Sequence, residues 1–164
     1  IKKCKSDYII LLNSDTKVTP NWDKSLIGFL QQNAEVKQIG FMGMKLDEDG
    51  KGGRADLGYN IDYVCGWCTC FPRSLYEEIG LFDPNLKFAY FEDSDFSLRI
   101  QAAGYKIYSS HLLLVHHYEN KTIKAVHKEK KIDVASSFKA NNEYFLNKWQ
   151  HYLKNDRFDL RGKL

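Results

Sequence analysis

No stretch of this sequence stays apolar for long enough to cross a bilayer. A span needs ~18–20 residues, and the longest apolar run, Tyr8-Ile9-Ile10-Leu11-Leu12, is the size of one strand. The opening Ile1-Lys2-Lys3-Cys4 lacks the apolar core of a secretory signal and does not begin with Met. A cytoplasmic protein is expected, and a chain that is part of a longer one. Proline is scarce, at three residues, and no Gly/Ser-rich linker appears. The 164 residues suit one domain. A net charge of +3 is too weak to argue for nucleic acid, and none is expected as a partner. The four cysteines, Cys4, Cys65, Cys68 and Cys70, lack the second separated pair usual in zinc sites. Buried, reduced thiols are the expected state.

What is present supports a packed core: 43% of residues are hydrophobic and 14% aromatic. The run 8–12 reads as a strand buried on both faces, as in a parallel sheet, ending in the polar turn Asn13-Ser14-Asp15-Thr16. Thr19-Pro20 reads as the cap and first position of a helix carrying Trp22, Leu26, Phe29 and Leu30 on one face. Further strands are expected over 36–44 and 63–71. Between them, 46–60 is polar and glycine-rich and reads as a long loop. Ser74-Leu75-Tyr76-Glu77 has the form of a capping box for a short helix ending at Gly80. A helix is expected over 92–103, stopped by Gly104, then short strands over 105–109 and 112–115. After His117 the character changes. Residues 121–131 are basic, and 134–153 read as a long helix with Phe138, Phe145, Trp149 and Tyr152 near heptad spacing. Strands alternating with helices predict an α/β sheet. The expected organisation is a sheet-bearing part over 1–120 and a basic linker with a helical extension over 121–164.

Three places carry chemistry. Asn13-Ser14-Asp15 follows the C-terminal end of an apolar strand, the edge where open α/β sheets bind ligands. A carboxylate there suits a hard divalent cation, although the same residues are ordinary turn formers. Glu92-Asp93-Ser94-Asp95 places three acids at a helix start. The helix dipole explains one or two of them. A carboxylate at the apolar wall suggested by Phe88-Ala89-Tyr90-Phe91 would have a raised pKa and act as a general base. His116-His117 ends another apolar strand, so one imidazole can complete a mixed oxygen and nitrogen metal site while its neighbour faces away. Gly66, read as mid-strand, marks close approach of a ligand or of backbone. Trp67 offers a face for a sugar ring or for core packing.

Together these segments resemble glycosyltransferase family 2, the inverting GT-A enzymes, and in particular its rhamnosyltransferase-like branch. The run 7–16 resembles that family's strand and DxD-type metal motif, with Asn13 in place of the first acid. Gly66-Trp67-Cys68-Thr69-Cys70-Phe71-Pro72-Arg73 resembles the acceptor-side strand. Glu78-Ile79-Gly80-Leu81-Phe82-Asp83 resembles the E-x-G-x-F-D turn, and Phe91-Glu92-Asp93-Ser94-Asp95 through Arg99 the F-E-D-x-D-x-x-x-R helix start. His117-Tyr118-Glu119-Asn120-Lys121-Thr122 resembles the histidine segment, and Phe145-Leu146-Asn147-Lys148-Trp149 the C-terminal F-x-x-K-W.

The resemblance implies a GT-A-like, Rossmann-like mixed sheet flanked by helices, with the N-terminal nucleotide-binding half missing. It implies sugar transfer, with inversion, from a nucleotide-sugar donor to a glycan or lipid-linked acceptor, in cell-envelope polysaccharide synthesis. Asp93 would be the base, supported by Glu92 and Asp95. Asp15, with His117 or else His116, would hold Mg2+ or Mn2+. Asn13, Asp15, Gly66, Trp67 and Arg99 would contact the donor side. Apart from that resemblance, the basic stretch 121–131 reads first as a solvated surface, and otherwise as a segment meeting diphosphate or, peripherally, anionic lipid at the inner face of a membrane. Two other readings stay open: a non-catalytic binding domain, and a metal-dependent phosphoesterase using Asp15, Asp93, Asp95 and His117.

Overall fold

The structure, a computed structural model, describes residues 3–112, 114–118 and 133–156. The expected basic linker 121–131 therefore lies outside the described residues. The chain forms a mixed α/β fold. Strands β1 (Tyr8–Leu12), β3 (Val36–Gly40), β7 (Cys68–Pro72) and β8 (Lys106–Ser109) make one sheet in the order β1-β7-β3-β8. β7 is antiparallel to both β1 and β3, and only β3 and β8 run parallel. β2 (Thr16–Val18) pairs with β9 (Val115–His117), and β4 (Gly43–Leu46) pairs with β5 (Gly52–Asp56) and β6 (Tyr63–Val64). The helices are α1 (Trp22–Gln32), α2 (Arg73–Ile79), α3 (Glu92–Ala102) and α4 (Val134–His151), the last running on into a π-helical turn, Tyr152–Asp156.

The strand buried on both faces is β7, not β1. Alternation along β7 sends Cys68 and Cys70 into a core with Leu26, Leu30 and Ile39, and Phe71 into a core with Leu75, Phe96 and Ile100. β1 is an edge strand of this sheet in antiparallel pairing, and only its Ile9 is buried. The thiols of Cys68 and Cys70 are free and buried, as composition suggested.

Four local expectations fail for physical reasons. Thr19 does not cap α1, because its hydroxyl and its amide both donate to Leu114 O, tying β2 to the β9 side. Asn21, in the left-handed region, holds the cap position instead. Ser74 starts no capping box. β7 runs straight into α2 at Arg73, whose amide donates to Asp7 O, so Ser74 already lies inside the first turn. The loop 46–60 contains β5, an exposed strand held by β4. The two long strands each break, at 41–42 and at 65–67.

A third core joins α3 to α4 through Phe91, Leu98, Phe145, Tyr152 and Leu153. At its rim lies Asp95, 0% exposed. Its carboxylate accepts from Arg99 Nε at 2.8 Å and Trp149 Nε1 at 2.8 Å, and pairs with Lys148 Nζ at 2.7 Å. Lys148 Nζ also reaches Asp83 Oδ2 at 2.8 Å. Hydrogen bonding from Lys148 is the largest influence holding the Asp83 carboxyl far below the usual carboxylate range. A buried carboxylate is tolerated only when its lone pairs are filled in this way. Asp95→Ala would leave Lys148 and Arg99 without that anion and is expected to cost ~3–5 kcal/mol. Lys148→Met keeps two of the donors to Asp95 and is expected to cost less. Urea denaturation of both variants measures the difference.

Candidate active site

Val64 ends β6 and Cys68 begins β7, and Cys65-Gly66-Trp67 turn between them. Each residue of this turn is fixed by a different part of the chain. Cys65 N donates to Met42 O at 2.9 Å, Asn13 N donates to Trp67 O at 2.9 Å, and Gly66 N donates to Asp93 Oδ2 at 2.9 Å. A Cβ added at Gly66 would lie 3.2 Å from Asp93 Cβ and 3.5 Å from Oδ2. Gly66 is thus a turn residue and not a mid-strand one. The close approach it permits is by the Asp93 side chain.

Asp93 and Glu92 open α3. Asp93 also accepts from Ser94 N at 2.8 Å. Burial is the main cause raising the pKa of both acids, against the hydrogen bonds from Gly66 and Ser94 to Asp93. Burial and then the Asp93 charge push Glu92 up to about 7. The two acids therefore keep protons at a higher pH than ordinary carboxylates. They line a cavity of about 190 Å³ together with Tyr63, Tyr90, Phe91, Phe138 and Lys51. Burial and the Asp93 charge also raise the Tyr63 phenol and the Cys65 thiol, so both neighbours stay neutral.

Trp67, in the same turn, lines a cleft of about 400 Å³ with His116, His117, Lys17, Thr19 and Met42. Trp67 stacks on His117, ring centroids 5.1 Å apart and 12° from parallel. Both histidines lie in β9, where Thr16 pairs with His117. Alternation sends His117 to Asp15 and His116 to the ring of Tyr118. His117 Nε2 lies 3.2 Å from Asp15 Oδ1, with these side chains only 19% and 8% exposed. Asn13 is exposed, and its part in the turn is made by its backbone amide.

A divalent cation is implied by the resemblance, and Asp15 with His117 offers two of the donors that one would need. Cis ligands at ~2.1 Å from Mg2+ or Mn2+ stand roughly 3 Å apart, near the Asp15 to His117 separation. Such ions are commonly held by one or two protein groups with substrate phosphates completing the sphere. Among the described residues, no group of three His, Cys, Asp or Glu side chains is placed to hold a metal.

Asp95 and Arg99 are engaged elsewhere. Asp95 takes the three donors given above. Arg99 spends its guanidinium on Asp95 and on the carbonyls of Ile79 and Leu81. The sequence reading missed Tyr63, Phe138 and Lys51, which line the acid cavity, and Asn141 beneath it. Asn141 gave one usable signal: it sits in the apolar stripe of α4 between Phe138 and Phe145, where an aliphatic residue would be ordinary. It is 3% exposed.

The family profile described as Glycosyltransferase like family 2 matches residues 53–134, half of the chain, including the Gly66 turn, Glu92, Asp93 and both histidines. No curated protein matches the chain.

The raised pKa of Glu92 has a sign that can be tested. Its stability cost is absent below the unfolded-state pKa, grows as pH rises from about 4.5 to about 7, and is full above that. Glu92→Gln is therefore expected to stabilise the protein by ~1–3 kcal/mol at about pH 8. That gain should vanish near pH 4. Thermal melts of both proteins across this range check the sign.

Proposed function

Because the chain belongs to the glycosyltransferase family 2-like proteins, we propose that it moves a sugar from a nucleotide-sugar donor to a hydroxyl of a glycan or lipid-linked acceptor, with inversion. One observation carries this reading: the Glu92 and Asp93 acids, with raised pKa, face an aromatic-walled cavity beside a turn that also touches the Asp15 and His117 pair. The acceptor enters the cavity walled by Tyr63, Tyr90 and Phe138. Its hydroxyl proton passes to the Asp93 carboxylate, whose oxygens keep lone pairs beyond those used by Gly66 and Ser94. The freed oxygen pair forms the bond to the anomeric carbon as the bond to the diphosphate breaks, and the nucleoside diphosphate leaves.

Asp15 and His117 would hold Mg2+ or Mn2+, which as a Lewis acid offsets the charge growing on the diphosphate. Trp67 backs His117 and presents its indole to the larger cleft, which we assign to the donor. Asp95 and Arg99 act as positioning residues for α3 and do not touch the donor. Among the described residues no helix is long and apolar enough to cross a membrane. A cytoplasmic place at the membrane face, and a role in cell-envelope polysaccharide synthesis, belong to this proposal.

The test has two arms in the full-length protein. Thermal shift with a panel of UDP-, dTDP- and GDP-sugars plus Mn2+ is expected to find a stabilising donor. Asp93→Asn is expected to keep that shift while lowering transfer by ~10²–10⁴-fold. Undiminished transfer by Asp93→Asn would remove Asp93 as base. Nucleotide released at the same rate with no acceptor would favour the phosphoesterase reading, and no shift with any donor would favour a non-catalytic domain.

A further inference from the structure

The turn before α3 holds three aromatic residues in the left-handed region: Phe88 at φ 70°, Tyr90 at φ 74° and Phe91 at φ 71°. Bulky side chains rarely adopt that conformation, and it persists only where the surroundings enforce it. The side chain of Asn141, from the middle of α4, meets this backbone. Its Nδ2 donates to Lys87 O at 2.9 Å, Ala89 O at 2.9 Å and Tyr90 O at 3.2 Å, and its Oδ1 accepts from Lys87 N at 3.1 Å. Two amide hydrogens shared among three carbonyls define the spacing of that backbone. One turn earlier on α4, Phe138 packs edge-on against Tyr90 and tilted against Phe91, and lines the acid cavity.

Phe91 is both the last strained residue and the cap residue of α3. Its conformation sets where Glu92 and Asp93 emerge. Relaxing Phe91 to negative φ would swing the first turn of α3 and pull Asp93 from Gly66 N. We propose that Asn141 is a positioning residue for the acid pair: it clamps the strained aromatic turn so that the first turn of α3 presents Asp93 to Gly66 and to the cavity. α4 is then a working wall of the active site as well as a part of the core. The effect on turnover rests on the assignment of Asp93 as base, whereas the effect on geometry does not.

Amide hydrogen exchange in the full-length protein tests the geometry without any substrate. Asn141→Ala is expected to speed exchange of the Gly66 and Ser94 amides at least about tenfold, with β1 and β7 amides unchanged. Phe88→Gly places glycine at a left-handed position where the native residue is 42% exposed. In the Asn141→Ala background it is expected to restore part of that protection, because the turn then needs less enforcement. Unchanged Gly66 and Ser94 rates would overturn the proposal. So would acceleration of all amides together with no recovery from Phe88→Gly. If Asn141→Ala does not fold, Asn141→Asp replaces it, keeping the shape and the acceptor for Lys87 N but losing the donors, with the same outcomes read.

Turnover supplies the second readout, using whichever UDP-, dTDP- or GDP-sugar the thermal panel selects. Asn141→Ala is expected to lower kcat about 10–100-fold with little change in donor KM, and by less than about twofold when Asp93 is already Asn. Equal losses in both backgrounds would mean that Asn141 does not act through Asp93. A normal kcat for Asp93→Asn would instead overturn the functional reading, leaving the exchange result to stand alone.

Discussion

The hydrogen bond from Gly66 N to Asp93 Oδ2 is the contact on which the site depends. Glycine at 66 leaves room for it, since a Cβ there would lie 3.2 Å from Asp93 Cβ, a tight contact. The same three-residue turn receives Asn13 N at Trp67 O, and Trp67 lies against His117, which meets Asp15. One turn thus ties the acids of α3 to the Asp15 and His117 pair through two adjacent residues. Chemistry that needs a base near one group and a cation near another requires such a fixed spacing. The turn supplies it with backbone, which has few ways to move.

Behind that turn, three separated sequence segments act as one. The turn 78–83 gives carbonyls to Arg99 and the Asp83 carboxylate to Lys148. α3 gives Asp95 and Arg99, and α4 gives Lys148 and Trp149. All converge on a carboxylate with no solvent exposure. Removing one partner strands another charge, so α4 is held in register with α3 as well as packed on it. Register matters because Phe138 and Asn141, on the same helix, then arrive beneath the aromatic turn.

Much of this was legible in the sequence. The boundaries of α3 followed from its acids and from Gly104, and Gly80 and Gly104 stop their helices with positive φ as expected. Strand alternation implied that only one of His116 and His117 would face a site, and the structure places His117 beside Asp15. The mixed α/β class, the long C-terminal helix and the family all followed from pattern. What was hidden depends on partners distant in sequence. Strand β5, Gly52-Gly53-Arg54-Ala55-Asp56, has no apolar alternation, and only pairing with β4 makes it a strand. Thr19 has the identity of a cap but is used by Leu114 O. Nothing in Phe88-Ala89-Tyr90-Phe91 signals three left-handed aromatics, and the Asn141 side chain that bonds their backbone lies 51 residues beyond Tyr90. The roles expected of Asp95 and Arg99 came from the family resemblance, whereas their partners lie on α4 and on the 78–83 turn.

The central claim is that Glu92 and Asp93 form a preorganised, proton-accepting pair. Carboxyl carbon NMR of the full-length protein, titrated by pH, measures it directly, one acid at a time through Glu92→Gln and Asp93→Asn for assignment. The account predicts coupled titration of the two acids above the ordinary carboxylate range, with Glu92 near 7. Two independent titrations near ~4, the values of solvated carboxylates, would contradict it.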